Sequence, residues 1–161
     1  MNKSLTILAG KVFSSLTGSW HIERHIVNKL KQGMNTCAAG NVIFANSTDQ
    51  IDSLFYLEQV HVNLNSQKLI KAFKRYKYTL QEGKLFQYNF FFVDNVIKCE
   101  KMYELIFCQK NDRLKAEGEY LCGADVYKAR YEFESLTKFQ LTYEVRGKNK
   151  FFSTYTNFTK L

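Results

Sequence analysis

Two charged residues interrupt rows that are otherwise apolar, and they are the residues best placed to do chemistry in this chain. Alternate positions from 54 to 64 are hydrophobic or aromatic except for Glu58, and those from 20 to 26 are so except for Arg24. Because alternate side chains of a strand share one face, both charges are predicted to face the inside of a β structure. A charge in that position must be paired or must face a ligand, because burying it alone costs several kcal/mol.

Tyrosines on the neighbouring predicted strands extend this internal site. A tyrosine combines a large apolar ring with a hydroxyl that needs a partner when it is buried. Apolar walls with a few converging polar groups are typical of small-molecule sites. The candidate ligand-binding residues are Arg24, Tyr56, Glu58, Tyr78, Tyr127 and Tyr131. A purely structural ion pair between Arg24 and Glu58, stapling a filled interior, stays open as the alternative.

The sequence contains no motif that assigns a reaction or a metal. It has no Gly-x-Ser-x-Gly elbow and no phosphate-binding loop, so the catalytic residues are unknown. An enzyme that uses Glu58 as a base and tyrosines as proton donors remains an alternative to a binding protein. Zinc sites have short cysteine and histidine spacings, which Cys37, Cys99, Cys108 and Cys122 do not show. We therefore expect buried, reduced thiols, no metal and no cofactor.

The elements that must position these residues are mostly strands. Residues 3–15 carry apolar side chains at helical spacing and predict one short amphipathic N-terminal helix. The rest alternates between aromatic-rich strands and turn-forming pairs such as Gln32–Gly33, Glu82–Gly83, Asp94–Asn95 and Asn111–Asp112. The predicted strands are 19–27, 36–45, 54–64, 70–80, 84–93, 97–108, 113–122, 126–133, 138–146 and 150–159. This pattern predicts a mainly β protein, a single antiparallel meander barrel of about eight to ten strands that spans residues 1–161. A sandwich, which would need longer crossing connections, is the alternative.

The net charge of the protein indicates which classes of partner it can attract. The 161 residues carry a formal net charge of +8, which favours encounters with anions in general. Basic residues interleave with aromatic ones between positions 68 and 78, as single-stranded nucleic acid requires, but on a strand the rings and charges point to opposite faces. We therefore expect a small-molecule ligand rather than nucleic acid. An interaction module that uses the basic outer surface for a nucleic acid or a protein stays open as the alternative. No segment has the length of a membrane span or the core of a signal peptide, which predicts a cytoplasmic protein unless export leaves no such signal.

A Gly-x-Trp motif stands where the first strand is predicted to begin, at Gly18 and Trp20. It resembles the motif of the lipocalin and fatty-acid-binding barrels, the calycins. The resemblance implies that the Trp20 ring packs at the closed end of a barrel. It also implies that a basic residue from near the last strand covers this ring, and Arg146 is the candidate for that position.

Further pieces of the sequence, in order along most of the chain, resemble a bacterial and fungal domain family with the same expected barrel. The matching pieces are Trp20-x-x-x-Arg24-x-Ile26, Tyr56-x-Glu58, Arg75-Tyr76-x-Tyr78, Phe92-x-Asp94, Cys122-x-x-Asp125-x-Tyr127, Tyr131 and Val145-x-Gly147-x-x-Lys150. This family has no settled activity, so the resemblance implies a fold and leaves the reaction or ligand unassigned.

Overall fold

The strands follow one another around a closed antiparallel barrel. The computed structural model describes residues 3–30, 35–64 and 68–161. Within these residues lie one helix and ten strands: α1 (Lys3–Leu16), β1 (Gly18–Asn28), β2 (Thr36–Asn46), β3 (Ser53–Leu64), β4 (Lys68–Gln81), β5 (Lys84–Val93), β6 (Val96–Lys110), β7 (Arg113–Cys122), β8 (Asp125–Ser135), β9 (Lys138–Arg146) and β10 (Phe151–Lys160). Each strand pairs with the next, and β1 pairs with β10 to close the barrel. The predicted fold class is confirmed.

Three of the predicted turns show why these strands fold back so tightly. Both residues of Glu82–Gly83, Asp94–Asn95 and Asn111–Asp112 have positive φ angles, between 51° and 75°. Two consecutive residues of this kind form the hairpin turn whose twist matches that of the flanking strands, and Asn, Asp and Gly tolerate it best. The predicted turn at Gln32–Gly33 lies outside the described residues.

The helix packs at the end of the barrel where β1 begins. Its apolar face buries Ala9, Val12 and Phe13 in the core, as expected for an amphipathic helix. The Trp20 indole is fully buried, and its Nε1 donates a hydrogen bond to the Leu16 carbonyl at 2.7 Å. This end of the barrel is therefore closed and filled with aromatic side chains.

The prediction that Arg146 covers the Trp20 ring was wrong. Lys160 lies there instead, with its Nζ 5.6 Å from the ring centroid and 2.7 Å from the Ser15 carbonyl oxygen. The register of β1 and β10 explains this, because Trp20 and Lys160 are directly paired. Arg146 ends β9 at the opposite end of the barrel, and its guanidinium lies over the Phe151 ring at 4.6 Å.

At the other end of the barrel the wall opens between β4 and β5. Their pairing stops at Tyr76 and Asn89, so residues 68–75 of β4 and 90–93 of β5 have no register with each other. Strand β5 continues to pair with β6 as far as the Asp94–Asn95 turn. We call the gap between residues 68–75 and 90–93 the slot.

Candidate functional site

The two charges that interrupt apolar rows are buried and bound to each other. Arg24 Nη1 donates to Glu58 Oε1 at 2.6 Å, and Nη2 donates to Oε2 at 2.7 Å. Arg24 Nε donates to the Thr156 hydroxyl at 2.8 Å, and the Tyr56 hydroxyl donates to Glu58 Oε2. The pair thus has the bidentate geometry that makes a carboxylate–guanidinium interaction strong. It links β1, β3 and β10 across the middle of the barrel.

Electrostatics keep both members of this pair charged. Burial alone would raise the pKa of Glu58, but the hydrogen bonds and charge of Arg24 lower it below its ordinary value. Burial would lower the pKa of Arg24, and Glu58 raises it instead. A carboxylate with a lowered pKa and both oxygens occupied is a poor proton acceptor near neutral pH. This arrangement does not favour the enzyme alternative in which Glu58 is the base.

A second polar network in the core centres on Gln87, which is fully buried. The hydroxyls of Tyr78 and Tyr131 lie 2.9 Å apart, and each donates to Gln87 Oε1 at 3.1 Å. Gln87 Nε2 donates to the Tyr143 hydroxyl at 3.2 Å. Gln87 was not among the predicted site residues, because the opposite row of β5 is aromatic at positions 86, 88, 90 and 92 and the alternation therefore places Gln87 on the outer face. These hydroxyls are satisfied by protein groups.

One buried hydroxyl in the described residues has no such partner. Tyr103 is fully buried, and its hydroxyl has no hydrogen-bond partner. Its ring lies 6.2 Å from that of Tyr120 and 6.1 Å from that of Tyr143, and Gly118 leaves the space that the ring occupies. Burial and the neighbouring tyrosines raise the pKa of Tyr103, so the hydroxyl is protonated and able to donate. We call the surrounding group the tyrosine cluster: Tyr76, Tyr103, Tyr120, Tyr127 and Tyr143.

The slot holds an open, shallow site beside this cluster. Its volume is about 440 Å³, and it is lined by Phe73, Lys74, Arg75, Tyr76, Asn89 and Phe90. Lys74 is paired with Glu58 in the β3–β4 register, which places it on the inner face of the wall, where solvent reaches it. Partial desolvation by the surrounding protein lowers the pKa of Lys74, and Arg24 lowers it further against the opposing effect of Glu58. A lysine with a perturbed pKa that lines an open site is a candidate functional residue.

The open end also brings two pieces of the family pattern together. The Lys150 ammonium lies 2.5 Å from Asp125 Oδ2 and donates to the Tyr127 hydroxyl at 3.1 Å. Gly147 passes so close that a side chain there would collide with the Asp125 carboxylate. Tyr127, by contrast with Tyr78 and Tyr131, belongs to this outer contact and to the tyrosine cluster.

The cysteine prediction needs a correction, because all four thiols are exposed rather than buried. The four cysteines lie at outward-facing positions or near the open end of the barrel. The alternation of the sequence alone did not distinguish these positions from inward-facing ones. Cys37 Sγ lies 3.3 Å from His25 Nδ1 on the outer face, where β1 and β2 pair these two residues. Among the described residues no group of three or more potential ligands could hold a metal ion.

The basic residues of β4 divide between the two faces of the wall. Tyr76 and Tyr78 face inward, whereas the partners of Arg75 and Lys77 lie on the outer face of β3. Phe73 is exposed on that outer face. Within the described part of the chain, no helix has the length and apolar character needed to cross a membrane.

Comparison with known proteins identifies the family of this chain. The model of the family described as "Family of unknown function (DUF6314)" matches residues 16–160, which include all ten strands. The chain belongs to this family. The resemblance predicted from the sequence motifs is thereby confirmed. No curated protein matches the sequence of this DUF6314 member.

A solved structure supports the same fold for this DUF6314 protein. The barrel is similar to the S-type phycobiliprotein lyase CPES from Guillardia theta, with a TM-score of 0.66. The similarity covers 94% of this chain and 92% of the lyase, at 12% sequence identity. At that identity the similarity concerns the fold.

Proposed function

We propose that this protein binds a small organic molecule at the open half of the barrel, between the slot and the tyrosine cluster. The observation that carries the proposal is the Tyr103 hydroxyl, which is buried without a partner. Leaving such a group unsatisfied costs about 1–3 kcal/mol, and native proteins rarely keep one without a reason. A ligand that accepts a hydrogen bond from Tyr103 would remove that cost.

The surroundings suit such a ligand. A volume of about 440 Å³ lies within the range of small-molecule sites, about 300–1,000 Å³. Tyr76 belongs both to the slot and to the tyrosine cluster, so the cluster that contains the buried hydroxyl lies next to the open space. The walls are aromatic, with a few polar groups that can orient a bound molecule.

The residues selected from the sequence take two roles in this proposal. Arg24, Tyr56 and Glu58 satisfy one another, and Tyr78 and Tyr131 are satisfied by Gln87, so we assign them to the floor beneath the ligand. Tyr127 contributes to the wall at the open end. The polar floor holds the strands apart and in register, which keeps the space above it formed.

Fold similarity supports binding but no particular reaction. The name of the similar structure describes a phycobiliprotein lyase. Lyase activity is not transferred to this chain, because unrelated functions recur on one fold.

The test compares two tyrosine-to-phenylalanine variants. Tyr103→Phe removes a hydroxyl without a partner, so we expect the free energy of unfolding of the ligand-free protein to rise by about 1 kcal/mol or more. Tyr131→Phe removes a hydroxyl bonded to Tyr78 and Gln87, so we expect a loss of about 1 kcal/mol. Urea denaturation of both variants measures the difference.

Native mass spectrometry of freshly purified protein supplies the second measurement. We expect wild-type protein and the Tyr131→Phe variant to retain a small molecule that the Tyr103→Phe variant releases. If Tyr103→Phe destabilises the protein as much as Tyr131→Phe does and no species differs in bound mass, the proposed function is wrong.

A further inference from the structure

The slot carries positive charge that the protein does not neutralise. Lys74 and Arg75 line it, and within the described residues neither lies within ion-pair distance of a carboxylate. Glu58 is paired with Lys74 in the strand register, but both its oxygens are bound by Arg24. Counting Arg24 and Lys74 against Glu58, the inner side of the slot has one uncompensated positive charge.

The backbone at the slot is also unpaired. Residues 68–75 of β4 have partners on β3 but none on β5. Backbone N–H groups on that edge therefore have no ladder acceptor across the gap, and such groups bind anions well when a positive side chain is close. The adjacent ammonium and guanidinium groups of Lys74 and Arg75 supply that charge.

The apolar part of the lining is aromatic. Phe73, Tyr76 and Phe90 line the slot together with Asn89, and Tyr76 also belongs to the tyrosine cluster. Rings favour flat partners, because stacked and edge-to-face contacts add about 0.5–1.5 kcal/mol each to the burial of apolar area. A flexible aliphatic chain would not use this arrangement as well.

We infer that the ligand is an aromatic or conjugated organic anion, whose anionic group binds at Lys74 and Arg75 while its flat body packs against Tyr76 and Phe90. This inference rests on the proposed function and assigns it a ligand class. Lys74 and Arg75 leave β4 on opposite faces and both line the slot at its unpaired edge, where a carboxylate, sulfonate or phosphate would receive both charges. The far end of the body is then directed to the Tyr103 hydroxyl.

A matched pair of fluorescent probes tests the inference. Anilinonaphthalene sulfonate is a flat aromatic anion, and phenylnaphthylamine has the same rings without the sulfonate. We expect saturable one-to-one binding of both by titration, with the sulfonate bound more tightly. Lys74→Gln should weaken sulfonate binding by about tenfold or more, the size of one lost charged contact, and change the affinity for the neutral probe by less than about twofold.

Two further variants control for charge and folding. Lys71→Gln removes the same charge from the same strand, but Lys71 is paired with His61 on the outer face, so both affinities should stay unchanged. Lys74→Arg keeps the charge and should retain tight binding of the sulfonate. Thermal unfolding of each variant shows that it is folded.

The results distinguish the assignment of an anionic ligand from the proposed binding of a small molecule. If both probes bind but Lys74→Gln weakens the sulfonate no more than Lys71→Gln does, the anion assignment is wrong and the binding site stands. If neither probe binds and Tyr103→Phe destabilises the protein, the proposed function itself fails.

Discussion

The buried Arg24–Glu58 pair makes a quantitative prediction for Glu58→Gln. Glutamine keeps the size of the side chain but offers one acceptor oxygen in place of two, and its NH₂ group faces donors of Arg24 or Tyr56. The variant therefore leaves an uncompensated positive charge inside the barrel, which keeps the Thr156 hydroxyl as an acceptor and at most one of the two oxygens that Glu58 supplies. Breaking a buried pair by removing one partner costs about 3–5 kcal/mol, and we expect a loss of that size in the free energy of unfolding.

Urea denaturation monitored by Trp20 fluorescence is the assay, with Glu117→Gln as the matched control. Glu117 pairs with Arg130 on the surface, where both side chains are more than half exposed, so we expect a change below about 1 kcal/mol. The double variant Arg24→Met with Glu58→Leu removes both charges and should recover most of the stability. A loss below about 1 kcal/mol for Glu58→Gln would refute the reasoning, because the pair would then behave as a solvated one.

The Arg24–Glu58 pair also predicts that the free energy of unfolding decreases at acidic pH. The pKa of Glu58 is lowered in the folded protein from an ordinary value near 4.5, so its contribution is complete above that value and is lost as the pH falls through the folded pKa. We expect the wild-type protein to lose stability more steeply below about pH 4 than the Glu58→Gln variant. Parallel stability curves for the two proteins would contradict this.

Three shorter predictions follow from other contacts. Lys160→Met removes the charge over the Trp20 ring and should lower the free energy of unfolding by about 1–2 kcal/mol with a change in indole fluorescence, whereas Arg146→Met should leave that fluorescence unchanged. Gly147→Ala places a methyl group against the Asp125 carboxylate, so thermal denaturation should show a loss of about 1–3 kcal/mol, and an unchanged midpoint would show that the loop gives way. All four cysteines should react with a thiol reagent in the folded protein without reductant, because all four are exposed, and protection of any one would contradict the structure.

The fold was predictable because the alternation along the strands was strong. Strands with one solvent-exposed face and one buried face, separated by turn-forming pairs, clearly predict an antiparallel meander. The same alternation placed Arg24 and Glu58 on the inner face, but it could not have found Gln87, because the opposite row of β5 is aromatic from Phe86 to Phe92. The alternation identifies the strand in which a residue lies and the face to which its side chain points. This information is enough to predict that two charges lie inside the barrel.

The remaining features depend on how the strands are paired, and the alternation of side chains does not determine that register. Lys160 rather than Arg146 covers Trp20 because β1 and β10 pair these two positions directly. The slot arises because β4 and β5 stop pairing at Tyr76, although both strands continue beyond it. The missing partner of Tyr103 is likewise a property of the assembled interior, since several tyrosines with the same sequence pattern do find partners.

The closure of the barrel has a consequence for the order in which the chain folds. In the described chain, every strand pairing except that of β1 with β10 joins consecutive strands, so the hairpins can form locally at a low cost in loop closure. The β1–β10 seam brings together residues as far apart as Arg24 and Thr156, which are separated by 132 positions. Contacts of such separation slow folding and form after the local ones. Arg24 bonds across this seam and also to Glu58, so the full set of partners for the guanidinium exists only once the first and last strands have met.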